Sequence, residues 1–174
     1  MSSTNTWPDK LRSAIQIAAP GERWSYVDLA VGGASTTTRA AAIDADLAAY
    51  SSAQTPVQCV LVNLGVNDIG ETESTFKTNM AYIVDAYHVK FPLADVYITK
   101  VWRRGYDTAC DTKAGWIDDL VADRAGWCFV GVDERGAGGI ESTDDGATYT
   151  TDGVHYSDTG QTLVANLWKT VLGY

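Results

Sequence analysis

The stretch Val57-Gln58-Cys59-Val60-Leu61-Val62-Asn63-Leu64-Gly65-Val66-Asn67-Asp68 constrains the fold more than any other part of the chain. It follows Pro56, is rich in Val and Leu and is too short for an ordinary helix. It therefore reads as a β-strand buried on both faces, the kind found in parallel sheets covered by helices on each side. The run breaks at Gly65 and leaves Asn67 and Asp68 on the loop beyond the strand's C-terminal end. In open parallel α/β sheets, ligands bind at that end. An Asn-Asp pair placed there is either turn chemistry or the rim of a site.

The remaining segments alternate in type. Thr6 is placed to cap a helix from Trp7 to about Ala18, with Leu11, Ala14, Ile15 and Ala18 as its apolar stripe and Pro20-Gly21 ending it. Trp24 to Val31 alternates like a strand and stops at Gly32-Gly33, ahead of a helix from Thr37 to about Tyr50. After the central strand come a helix from about Glu71 to Lys90 with Phe76, Met80, Ile83 and Tyr87 aligned, and a strand from Ala94 to Val101. A helix from Lys113 to Arg124, a strand from Trp127 to Val132 and a helix from about Thr159 to Leu172 complete the series. Between the last two, Gly136 to Thr151 is rich in Gly, Asp and Thr without periodicity; so long a loop in a compact domain is usually functional. Strand alternating with helix predicts an α/β fold in one domain over residues 1–174, a doubly wound parallel sheet with helices on both faces.

Charge narrows the partners. The formal net charge of −9 argues against nucleic acid or an anionic membrane as a partner, because both require a basic surface. No apolar run reaches membrane-spanning length, and the polar start Met1 to Thr6 is unlike a signal peptide. Of three cysteines, Cys59 and Cys128 fall in expected strands, where a thiol is usually a small core residue, and Cys110 falls in an expected loop. None has metal-ligand spacing.

Three segments stand at strand ends or helix starts: Gly32-Gly33-Ala34-Ser35-Thr36, Gly65-Val66-Asn67-Asp68, and Thr151-Asp152-Gly153-Val154-His155. The last is the most specific, since the chain has two histidines and the other, His88, falls on the polar side of an expected helix. Asp152 three residues before His155 can reach the imidazole Nδ1 and leave Nε2 as a general base. It can equally be a capping Asp with an incidental His nearby. The Asn67 amide can donate to a developing oxyanion or simply make a turn, and Gly32-Gly33 can offer backbone N–H groups or only a tight bend. Trp102, Arg103 and Arg104, at the end of another strand, are candidates for lining a cleft, Trp102 and Arg103 foremost, against the alternative of one packed Trp beside surface charge.

Taken together, these blocks resemble the SGNH (GDSL) family of serine esterases and lipases. Leu29 to Thr36 is similar to the family's second block, Val60 to Asp68 to its third, and Asp152-Gly153-Val154-His155 to its fifth. The resemblance implies a flavodoxin-like three-layer sandwich and an ester hydrolase acting on small acyl esters, including carbohydrate acetyl esters, without cofactor or metal. It implies Asp152 and His155 as two triad members, Gly33 N–H and the Asn67 amide as the oxyanion hole, and a serine nucleophile. That nucleophile belongs to a Gly-Asp-Ser block which does not occur in the chain; Ser2 and Ser3 match the loop after it better than the nucleophile itself. The chain thus looks like the family fold begun one strand late, which leaves its compartment open, secretion included. It is expected either that the strands ending at Val31 and Leu64 close up and pair, or that strand exchange in a homo-oligomer fills the slot. The alternative to catalysis is a non-catalytic domain of the same fold that binds a glycan or a protein partner.

Overall fold

The computed structural model describes residues 6–50 and 56–174, so Ser2 and Ser3 lie outside the described residues. Helices flank a small parallel sheet in an α/β fold. Contacts gather the chain into two compact units, one of Leu29–Val101 with Thr108–Gly131, the other of Met1–Asp28, Trp102–Asp107 and Val132–Tyr174.

The first unit holds the sheet. Strands β1 (Cys59–Val62), β2 (Asp95–Lys100) and β3 (Cys128–Asp133) lie in the order β1-β2-β3. β1 and β2 run parallel with Val60 opposite Val96 and Val62 opposite Ile98. Because side chains alternate along a strand, these four share a face. Onto it pack Phe76, Met80 and Val84 of helix α3 (Glu73–Lys90) and Ile117 and Leu120 of helix α4 (Asp107–Ala122). Phe76 is fully buried in this cluster; a side chain of its size contributes about 1.5–3 kcal/mol on burial. Helix α2 (Thr36–Ala49) packs on α3, where Asn79 Nδ2 donates to Thr37 Oγ1 and Tyr82 Oη to Asp44.

The second unit is built on helix α1 (Trp7–Ala18) against helix α5 (Asp158–Val171). Trp7 stacks on Trp168 with ring centroids 5.9 Å apart, and the Trp7 N–H donates to Gln161 Oε1 at 2.7 Å. Two 3-10 turns, Ile140–Ser142 and Asp144–Gly146, interrupt the glycine-rich loop, and Thr150 bridges antiparallel to Tyr156 before Ser157 caps α5. Gly160 is required in α5, because a Cβ there would lie 1.9 Å from the Tyr149 carbonyl oxygen.

Several expectations change. β1 is four residues long, and only Val62 in it is buried, because β1 lies at an edge of the sheet. Trp24–Val31 forms no strand, so the expected pairing of that segment with β1 does not occur. The expectation treated the edge as buried. Cys59, Val60 and Leu61 are only partly covered, and unpaired backbone groups carry their full penalty only away from water. α4 begins at Asp107, six residues ahead of the expected start, and places Cys110 in the core rather than in a loop. His88 is not simply solvated: it stacks on Trp127 at 3.9 Å with Nδ1 buried. Thr6 occupies the N-cap position of α1, but its hydroxyl donates to Asp9 instead of accepting from the helix.

Candidate active site

The first unit holds a turn and an amide. Ala34 N donates to Val31 O at 3.2 Å, closing a turn in which Gly33 has φ 74°. A type II turn requires a positive φ at that third position, which glycine adopts without penalty. Ser35 then caps α2, its Oγ accepting from Thr38 N while Thr38 Oγ1 accepts from Ser35 N. This capping box fixes the exit of the turn. Gly65, φ 125°, ends the β1 run where a Cβ would lie 3.4 Å from Phe76 and Val101, and Asp68 N returns to Gly65 O at 3.0 Å.

Asn67 and Asp68 both reach across to this turn. Asn67 Nδ2 donates to Ala34 O at 3.0 Å, one residue after Gly33. An amide NH2 has two protons, so one anchors the side chain and the second remains for another acceptor. Asp68 is fully buried, and its carboxylate accepts from Thr36 N at 2.9 Å and Thr36 Oγ1 at 2.5 Å. A carboxylate at the first turn of α2 also meets the positive end of that helix. Beneath the loop, Lys113 Nζ donates to Ile69 O at 3.3 Å and lies over the rings of Trp116 and Phe76. Burial lowers the Lys113 pKa, with the negative charge of Asp68 acting against it.

The second unit holds a carboxylate and an imidazole. Asp152 Oδ2 is 2.7 Å from His155 Nδ1, while Oδ1 accepts from His155 N at 2.8 Å and Val154 N at 3.0 Å. One oxygen therefore accepts from the backbone of the turn and the other meets the ring. Capping of α5 falls to Ser157, whose Oγ accepts from Gly160 N. The backbone N–H of His155, then its imidazole and the Val154 N–H, hold the Asp152 carboxyl well below the usual carboxylate range. Both side chains are open to solvent, Asp152 at 54% and His155 at 78% exposure.

Trp102 is buried at 3%; its indole N–H donates to Asp107 at 2.7 Å and its backbone N–H to Glu134 at 3.2 Å. Arg103 lies over the ring of Tyr106, 4.9 Å from the centroid. Sequence reasoning gave no role to Lys113 or Glu134, and placed Thr36 and Arg104 only within their segments. Arg104 Nε donates to Asp145 O, and Glu134, 1% exposed, accepts from Tyr156 Oη beside His155. Only Thr36 carried a local signal, a hydroxyl at the first residue of a helix. Side-chain hydrogen bonds of the other three span 22 to 46 residues of chain. Among the described residues, no group of three or more His, Cys, Asp or Glu is placed to hold a metal ion, and no helix is long and apolar enough to cross a membrane.

The GDSL-like Lipase/Acylhydrolase family matches the chain over residues 2–163. No curated protein matches it. Among solved structures, a lipolytic G-D-S-L family protein from Veillonella parvula is 15% identical with a TM-score of 0.73, covering 100% of this chain and 90% of its own. The psychrotrophic esterase EstA from Pseudoalteromonas sp. is 15% identical with a TM-score of 0.72, over 99% of this chain and 88% of its own. A carbohydrate esterase of family 3 from Talaromyces cellulolyticus is 16% identical with a TM-score of 0.69, over 96% and 89%. At these identities the likeness is one of fold.

Proposed function

Because the chain belongs to the GDSL-like lipase/acylhydrolase family, we propose that it hydrolyses small acyl esters, among them carbohydrate acetyl esters. In this reading His155 is the general base. It takes the proton of the attacking hydroxyl, which adds to the ester carbonyl carbon, and returns that proton to the departing alcohol oxygen; a water deprotonated by the same imidazole then attacks the acyl carbonyl, the carboxylic acid leaves and the hydroxyl regains its proton. Asp152 holds the imidazole with its proton on Nδ1 and balances the positive charge that the ring acquires. Gly33 N–H and the second N–H of the Asn67 amide stabilise the oxygen that becomes negative as the carbonyl carbon turns tetrahedral. The attacking hydroxyl is a serine by the family resemblance, and none is assigned to it in this chain.

The observation that carries the reading is the 2.7 Å contact from Asp152 Oδ2 to His155 Nδ1 on an imidazole that is largely exposed. Support for the carbohydrate side comes from structural neighbours that are carbohydrate esterases. Acetate release from p-nitrophenyl acetate and from acetylated xylan tests it. Wild type should exceed buffer, and His155→Ala should lose about 10²–10⁴-fold of that excess. Wild type and His155→Ala both at the buffer rate would defeat the reading for this chain.

A further inference from the structure

The segment that carries Asp152 and His155 has little regular structure to hold it. Its own bonds are the Thr150–Tyr156 bridge, which includes Thr151 N to the His155 carbonyl, a donation from Thr151 Oγ1 to the same carbonyl, Gly153 N to Thr150 Oγ1, and the Asp152 contacts described above. Solvent reaches both members of the couple, so burial does not fix their geometry. Arg104 touches this segment from outside at two points and the loop ahead of it at a third. Its backbone N–H donates to Gly153 O at 3.0 Å, its Nε to Asp145 O at 2.8 Å and a terminal guanidinium nitrogen to Thr150 Oγ1 at 3.3 Å.

Thr150 makes this arrangement cooperative. Its hydroxyl accepts from Arg104 and from Gly153 N at 3.1 Å, and donates to Gly146 O at 3.0 Å. A hydroxyl has one proton and two acceptor positions, so every position is used. On the other side of Asp152, Gly153 (φ 89°) lies so near Arg104 that a Cβ on it would sit 2.6 Å from Arg104 Cβ. That atom is next to the backbone and cannot swing away. Arg104 therefore grips the chain just before Asp152, at Thr150, and just after it, at Gly153.

We propose that Arg104 is a positioning residue for the Asp152–His155 couple: its hold on Thr150 and Gly153 keeps Asp152 Oδ2 against Nδ1 and so keeps the imidazole proton on Nδ1. This rests on the reading of His155 as the base. Lysine cannot replace Arg104 fully, because a single ammonium does not reproduce the planar fork that serves two acceptors at once.

The test is ¹⁵N NMR of the His155 ring in the full chain, measured above the pH at which the ring loses its charge. The ratio of Nδ1–H to Nε2–H tautomers should fall about fivefold in Arg104→Met, the effect of losing about one net hydrogen bond. Arg104→Lys should lie between, and Asp152→Asn gives the ratio without the carboxylate. A wild-type ratio in Arg104→Met overturns the proposal, even if the melting midpoint falls, since a merely structural residue would move the midpoint alone. If Arg104→Met does not fold, Thr150→Val removes the same contact from the other side and is judged by the same criterion. The measurement needs no turnover: an inactive wild type counts against the functional reading, an unmoved ratio against Arg104.

Discussion

Asp68→Ala is expected to be among the most damaging single substitutions near the candidate site. Asp68 has no exposed surface, and its carboxylate accepts both the N–H and the hydroxyl of Thr36. Alanine leaves two buried donors without an acceptor. Each such donor costs about 1–3 kcal/mol, so the loss should be about 2–6 kcal/mol. Set against a total stability of about 5–15 kcal/mol, the middle of that range is a large fraction. Urea unfolding followed by tryptophan fluorescence reads it directly. With a slope of about 2 kcal/mol per M, a 3 kcal/mol loss moves the midpoint down by about 1.5 M. Thr36→Val removes the hydroxyl donor but keeps the N–H, and should cost about 1 kcal/mol. The double variant should lose less than the two singles added together, because the residues share one contact. A midpoint for Asp68→Ala within about 0.3 M of wild type, roughly 0.6 kcal/mol at that slope, would refute the claim that this carboxylate fastens the loop to α2.

Other perturbations have defined signs. Asp152 has a lowered pKa in the folded chain, so its contribution to stability is present above its ordinary value of 3.8 and is lost as pH falls below that. Unfolding midpoints taken from pH 5 downward should therefore fall less steeply in Asp152→Asn than in wild type; parallel curves would contradict the assignment. Gly33→Ala should cost about 1–2 kcal/mol through backbone strain alone, since nothing lies within 4 Å of the added Cβ; a loss above about 4 kcal/mol would mean the turn is packed. Phe76→Ala should cost about 3–5 kcal/mol in the same unfolding assay, and a cost under about 1 kcal/mol would show that the sheet core has another centre.

The helices were the most legible part of the fold in the sequence, and the sheet the least. α1 runs from Trp7 to Ala18, as its stripe of Leu11 and Ile15 and the Pro-Gly stop indicate. Periodicity within one segment carries that information. α4 hid its first turns because Lys113 sits on its buried stripe among Cys110, Ala114, Ile117 and Leu120, and a charged residue there breaks the apolar pattern. Trp24–Val31 alternates as a strand does but forms none. Alternation states only that a segment has two faces, whereas a strand also needs a neighbour whose backbone meets it, and that is a property of distant sequence. The candidate residues divide the same way. Asp152 and His155 meet across three positions and were readable as a pair. The grip of Arg104 on Thr150, 46 residues on, and of Asp68 on Thr36, 32 residues back, depends on the fold and left no local mark.

The proposal that Gly33 and Asn67 present donors to an ester's carbonyl oxygen is tested most directly with acetate, whose carboxylate oxygens resemble the oxyanion. In ¹H–¹⁵N spectra, added sodium acetate should shift the Gly33 amide and the Asn67 side-chain NH2 with a single saturation curve. Asn67→Ala should abolish the Gly33 shift or weaken it severalfold. Shifts spread over other amides while Gly33 and Asn67 stay still would contradict the proposal.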